Sequence, residues 1–150
     1  MSLRIFLCVA LLSAALPAAA QDRGYWRAAN SNATTITGDI DVGEARLSID
    51  FFNFPLAHIR TLTPTEVSAV FDADIAAGQI GQLYRLSVPA THRFLKRNTL
   101  CGSDDTQWMA TFVTGHYLRV AFFSGPETPV LTIDALAKST DLCGIFVYER

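Results

Sequence analysis

Between Gln107 and Phe123 the side chains change direction at every second residue. Trp108, Ala110 and Phe112 fall on one face, with Met109, Thr111 and Val113 on the other. After Thr114-Gly115, Leu118, Val120 and Phe122 alternate with Tyr117, Arg119 and Ala121. A period of two is the geometry of a pleated strand, and a short glycine turn between two such runs closes a hairpin. The same pattern recurs upstream. Ile36, Gly38, Ile40 and Val42 oppose Thr35, Thr37, Asp39 and Asp41; after Gly43-Glu44, Leu47, Ile49 and Phe51 oppose Arg46, Ser48 and Asp50. This predicts a half-buried antiparallel hairpin. Pro55 to Leu62 reads as a third strand with Leu56 and Ile59 toward the core. Gly81 to Val88 adds another, with Tyr84, Leu86 and Val88 facing away from Leu83, Arg85 and Ser87. Cys143 to Tyr148 is the last.

Helical signals are few. Thr63-Pro64-Thr65-Glu66 has the spacing of a capping box with proline at the first helical position, and Val67, Val70, Phe71 and Ile75 follow at helical intervals up to Gly78. The valines and phenylalanine also suit a strand over 66–72, which is the competing reading. Ala90 to Arg97 reads as one or two helical turns, with Phe94 and Leu95 inward and His92, Arg93, Lys96 and Arg97 on the wet side. Thr132 caps a short helix ending near Lys138. Residues 21–32 lack periodicity and read as an arm that docks through Trp26. The sum is a mainly β domain over 21–150, a small antiparallel barrel or sandwich. It has about seven strands and two or three short helices.

Residues 1–20 stand apart. Arg4 is followed by an apolar run from Ile5 to Leu16, and Pro17-Ala18-Ala19-Ala20 supplies small residues before a cut between Ala20 and Gln21. That is the layout of a secretory signal peptide, so a periplasmic or secreted protein is expected. No other segment is long and apolar enough to span a membrane. The processed chain carries eleven basic and fourteen acidic residues, a charge of −3. This balance argues against nucleic acid and against an anionic membrane as partner. Cys8 leaves with the signal, and Cys101 and Cys143 remain. In an oxidising compartment an isolated pair forms a disulfide, while a metal or redox pair would need a C-x-x-C or zinc-like spacing that is missing.

Chemistry-bearing motifs are sparse. Asp104-Asp105 after Gly102-Ser103 offers a loop carboxylate pair, although these are ordinary turn residues. Asp72-x-Asp74 fails as a calcium loop because Ala76 and Gly78 fall at the wrong places. His58, His92 and His116 are widely separated. Ser103 and Ser124 lie in no nucleophile elbow, and Gly78-Gln79-Ile80-Gly81 lacks a phosphate-loop lysine. Asn32-Ala33-Thr34 is a formal glycosylation sequon. The aromatics Trp108, Phe112, Tyr117, Phe122 and Phe123 could line a pocket, or fill a small barrel. No cofactor or metal is implied. Arg85, Asp104, Asp105 and Trp108 are the candidate binding residues.

Several segments carry a resemblance. They are Asn30 to Gly38, Leu83-Tyr84-Arg85, Asn98-Thr99-Leu100-Cys101-Gly102, Ala121-Phe122-Phe123-Ser124-Gly125 and Leu142-Cys143-Gly144-Ile145-Phe146-Val147-Tyr148. Together the chain resembles a group of small exported proteobacterial proteins without an assigned activity. The resemblance implies a bacterial, exported setting, and its two L-C-G segments agree with pairing of the cysteines. Three functional readings follow in order. The first is a non-catalytic exported module that binds a protein or cell-envelope component. The second is a carrier holding a small apolar ligand in a barrel cavity. The third is an enzyme assembled from dispersed residues, with Arg85, His92, Asp104 and Asp105 as first suspects.

Overall fold

The computed structural model describes residues 21–74 and 80–150. The signal-like segment, its junction at Ala20, and the helix-stop positions Ile75 and Gly78 lie outside them. Eight strands run in chain order and close on themselves: β1 (Gly24–Ala28), β2 (Ile40–Val42), β3 (Arg46–Ile49), β4 (Phe52–Leu62), β5 (Gly81–Val88), β6 (Thr106–Thr114), β7 (Tyr117–Phe123) and β8 (Leu142–Glu149). Every neighbour pair is antiparallel, and β1 pairs with β8 to complete an up-and-down barrel. Closure leaves no free sheet edge.

The eighth strand is the arm at the start. Trp26 does dock, fully buried, with its indole N–H donating to the Asp22 carbonyl. The arm also forms β1, because its backbone supplies the ladder that β2 and β8 would otherwise lack. Three other expectations need correction. Residues 35–38 are not strand: Ala33–Thr37 wind into one π-helical turn, closed by the Gly38 N–H donating to the Ala33 carbonyl. β2 therefore begins at Ile40. Ile59 is exposed, because a bulge between His58 and Arg60 inserts one residue into β4. The bulge also inverts the later alternation, so that Thr61 meets Gln82 while Leu62 joins an outer cluster. Finally, Phe51 does not continue the inward face of β3. It sits in the two-residue turn Asp50-Phe51, where both residues have positive φ (48° and 68°), and its side chain is fully solvent-exposed.

Two apolar layers hold the barrel. Inside lie Trp26, Ile40, Leu47, Ile49, Leu86, Met109, Val120, Phe122, Phe146 and Tyr148, all almost fully buried. An eight-stranded barrel is narrow enough for side chains to occupy its interior. A polar knot joins them: the Asp22 carboxylate, 2% exposed, accepts hydrogen bonds from the Tyr84 and Thr111 hydroxyls at 2.6 Å each. Burial, helped by that carboxylate, pushes the Tyr84 phenol well above its usual range; burial does the same at Tyr148. The outer layer covers β6 and the adjoining parts of β5 and β7, so these stretches are buried on both faces. Here Leu83, Trp108, Ala110, Phe112, Ala121 and Phe123 meet Val67, Val70 and Phe71 of α1 (Pro64–Phe71) and Leu131.

The capping box behaves as expected, with Thr63 and Glu66 exchanging side-chain and backbone hydrogen bonds; the competing strand does not form. The helix ends at Phe71, where Asp72 takes a left-handed conformation. Gly81 permits its close approach, since a Cβ there would lie 2.6 Å from a Val67 methyl. α2 (Ile133–Lys138) is capped by Thr132.

Candidate functional site

The strand directions sort the loops between two ends. One end carries the N-terminal residues, the 43–45 turn, α1 and the 115–116 turn. The other carries residues 29–39, the 50–51 turn, and the two long connections 89–105 and 124–141. Cys101 and Cys143 form a disulfide at this second end, with Cα atoms 5.0 Å apart across 42 residues of sequence. The Asn30–Gly38 segment packs beside it. Asn30 and Asn32 both donate side-chain N–H groups to the Ile145 carbonyl, and Asn30 Oδ1 accepts from the backbone N–H groups of Ala33 and Val147. These asparagines stand in for a neighbouring strand along the start of β8, so the sequon amide of Asn32 is committed to the fold.

The four candidate binding residues fall in one neighbourhood. The Arg85 guanidinium stacks over Trp108, 4.7 Å from the ring centroid, and donates to the Gln107 carbonyl and its side-chain oxygen. Gln107 in turn borders a polar depression of about 430 Å³ that Asp104, Asp105, Ser124 and Asp141 also line. Asp105 in it is already engaged. Asp105 accepts from the Ala90 N–H at 2.7 Å, fixing the start of the 89–97 turn, and the Asp104 N–H closes a turn onto the Cys101 carbonyl.

The His92 ring takes other partners. It packs among those of Phe52, Phe54 and Phe94, with centroids 4.6, 5.1 and 4.5 Å away. It is half-buried there rather than on the wet side. No hydrogen bond joins it to Arg85, Asp104 or Asp105 among the described residues. His58 engages Gln82, and His116 is exposed in the β6–β7 turn. No group of three or more potential metal ligands occurs among the described residues.

The aromatic contacts of His92 join two loops that sequence reasoning kept apart. Phe52 opens β4 directly after the Asp50-Phe51 turn, and the His92 ring sits against it. The 50–52 hairpin tip and the 92–97 turn therefore form one surface. On it, Phe51 is fully exposed and Phe52 half-exposed. Only Leu95 to Arg97 make a helical turn, and a tight 3-10 one; Lys96 and Arg97 have positive φ (52° and 63°). Phe94 is buried and Leu95 is half-buried, while Arg93, Lys96 and Arg97 are exposed. A left-handed conformation is costly for a bulky residue, and such strain gathers where a surface is shaped for contact.

Beside the tip lies an open groove of about 360 Å³, lined by Tyr25, Gly38, Asp39, Ile40, Asp50, Phe51 and Leu95 among others. Asp39 is held within it: one carboxylate oxygen accepts a short hydrogen bond from the Tyr25 hydroxyl and the other accepts from the Ala28 N–H at 2.9 Å. The Tyr25 bond chiefly, and the Ala28 bond next, hold the Asp39 carboxyl below its ordinary range; the same bond raises the Tyr25 phenol. Phe51 was the residue hardest to find in the sequence. The signal was there in Ile49-Asp50-Phe51-Phe52, where the alternation breaks at two adjacent aromatics.

No family model, curated protein or solved structure matches this chain. Fold and surface together define the class: an eight-stranded antiparallel meander barrel with large apolar side chains inside, disulfide-linked at one end, with an exposed aromatic tip beside a basic turn.

Proposed function

We propose that this is an exported, non-catalytic module that binds a protein or another component of the cell envelope, and that it engages its partner through the Phe51 tip. The full exposure of Phe51 at a left-handed turn position carries the reading. A buried phenylalanine contributes roughly 1.5–3 kcal/mol, so displaying one on a strained turn is unfavourable for folding alone. Contact with a partner would recover that loss. The disulfide is compatible with an oxidising compartment, and the export expectation rests on the signal-like residues 1–20 and on the resemblance to exported proteobacterial proteins.

The carrier reading has less support, because the barrel interior is occupied by Trp26, Phe122, Phe146 and Tyr148. The dispersed enzyme has less again, because the His92 ring packs against phenylalanines and no hydrogen bond joins it to Arg85, Asp104 or Asp105 among the described residues.

A photoreactive amino acid at position 51, incubated with an envelope fraction, tests the proposal. Tyr117, exposed at the opposite end, is the control position. Adducts should form at 51 and not at 117. Equal yields at both positions, or none, would remove the proposal.

A further inference from the structure

We infer that the partner at the Phe51 tip is an anionic lipid surface. The inference rests on the binding-module reading and names what that module docks on. Phe51 and Phe52 project at the end of the β3–β4 hairpin, and the adjoining turn presents Arg93, Lys96 and Arg97. The His92 ring, 4.6 Å from that of Phe52, fixes the two loops side by side. The charges are uncommitted. Lys96 and Arg97 have no side-chain partner among the described residues, and Arg93 donates only to the Ala90 and His92 carbonyls. Of the nearby carboxylates, Asp41 is paired with Arg46 at 3.8 Å, whereas Asp39 accepts only from the neutral Tyr25 hydroxyl and Ala28 N–H and keeps its negative charge. Asp50 stands in the tip turn beside Phe51. Three cations against the two carboxylates of Asp39 and Asp50, around two exposed phenylalanines, leave a local excess of one positive charge beside an apolar centre. That pairing recognises a layer of anionic headgroups over acyl chains.

This revises the expectation drawn from net charge. The −3 of the processed chain is a sum over the whole surface, whereas a membrane meets only the end turned toward it, within about 8 Å at physiological ionic strength. The barrel itself is not a membrane span. Its interior is mostly apolar, β2 and β3 are three and four residues long, and their outer faces carry Asp41, Arg46 and Ser48. A membrane-spanning barrel has longer strands and an apolar outer belt. The protein would therefore lie on the surface, tip down.

Vesicle partitioning tests the inference. All eight strands lie within residues 21–150, so the oxidised chain beginning at Gln21 is used, free of the apolar leader. It should sediment with vesicles of phosphatidylcholine containing about one-third phosphatidylglycerol and not with phosphatidylcholine alone, and high salt should release it. Lys96→Gln and Arg97→Gln should each weaken partitioning about fivefold. Phe51→Ser should weaken it about tenfold, and Tyr117→Ser should leave it unchanged. In a Phe51→Trp variant, added tryptophan emission should shift to the blue on anionic vesicles, a change that a merely structural residue would not give.

Partitioning that ignores phosphatidylglycerol, or survives Phe51→Ser, overturns the inference. So does release by inorganic phosphate at constant ionic strength, which would assign the cations to a free anion. Position-51 adducts with an envelope protein but no vesicle binding would overturn the lipid partner and leave the binding module standing. Absence of both removes both.

Discussion

Removing the disulfide should cost this protein a large part of its stability, and the size can be worked from the structure. The bond joins the connection before β6 to the first residues of β8, closing a loop of 42 residues that contains β6, β7 and α2. In the folded state each end of that loop has ties of its own: Asn98, three residues before Cys101, donates to the Thr35 carbonyl at 3.0 Å, and the Cys143 end is held in the sheet. Seven register pairs tie β7 to β8, and Asn30 and Asn32 clasp Ile145 next to Cys143. The native structure therefore tolerates loss of the bond, and the effect falls on the unfolded chain, which regains the entropy of an open loop. For a loop of this length the chain-entropy relation gives about 4 kcal/mol. A domain of this size has roughly 5–15 kcal/mol in total and loses about 3–5 °C of Tm per kcal/mol, so the midpoint should fall by about 12–20 °C.

The assay is urea unfolding of oxidised wild type against Cys101→Ala/Cys143→Ala, followed by the emission of the buried Trp26 and Trp108. The double variant should also show a steeper urea dependence, since its unfolded state is more open. A loss under about 1 kcal/mol with an unchanged slope would refute the argument that the bond acts on the unfolded ensemble. Free thiols at both positions in the isolated protein would refute the pairing itself.

Two further outcomes follow from the same geometry. Phe51→Gly should stabilise the protein by about 1 kcal/mol in thermal or urea unfolding, because glycine fits the left-handed position without strain, while abolishing contact at the tip; a destabilised variant would show that Phe51 supports the fold. Glu66 receives both guanidinium nitrogens of Arg60 at 2.8 Å and the Thr63 N–H, and the Arg60 bonds chiefly hold its carboxyl below the ordinary range. A depressed folded pKa means that its stabilisation is present above the unfolded carboxylate pKa and lost as pH falls through the folded value. Glu66→Gln should therefore cost about 1 kcal/mol at pH 7 and progressively less below about pH 4, as read by urea midpoints across pH. A constant difference at all pH values would exclude the carboxylate as its source.

Much of the barrel could be read from local pattern. In β6 and β7 the alternation assigns each face correctly, because a pleated strand sends side chains to opposite sides whatever its neighbours are. The capping box at Thr63 was equally legible, since its partners lie within one turn. The failures share a cause. Thr35 to Gly38 alternate as a strand does, yet wind into a π-helical turn, because Asn30 and Asn32 reach more than a hundred residues away to Ile145. Ile59 and Phe51 were misplaced because a bulge and a two-residue turn each broke the count of two. The candidate site was legible only in pieces. Arg85 and Trp108 are cross-strand neighbours and do meet, whereas the pairing of Phe52 with His92 brings together residues forty apart.

The sequence by itself determined a β-rich chain, the sidedness of most strands, the capped helix, and Cys101 and Cys143 as the cysteines of the β-rich part. These follow from residue type and spacing within a few residues. Only the tertiary structure decided that the arm closes an eight-stranded barrel, that β6 and the adjoining parts of β5 and β7 are buried on both faces, and that Phe51 and the basic turn share one end. Closure, double burial and the joining of distant loops depend on which surfaces compete for the same apolar contacts, and that competition is settled only when the whole chain is packed.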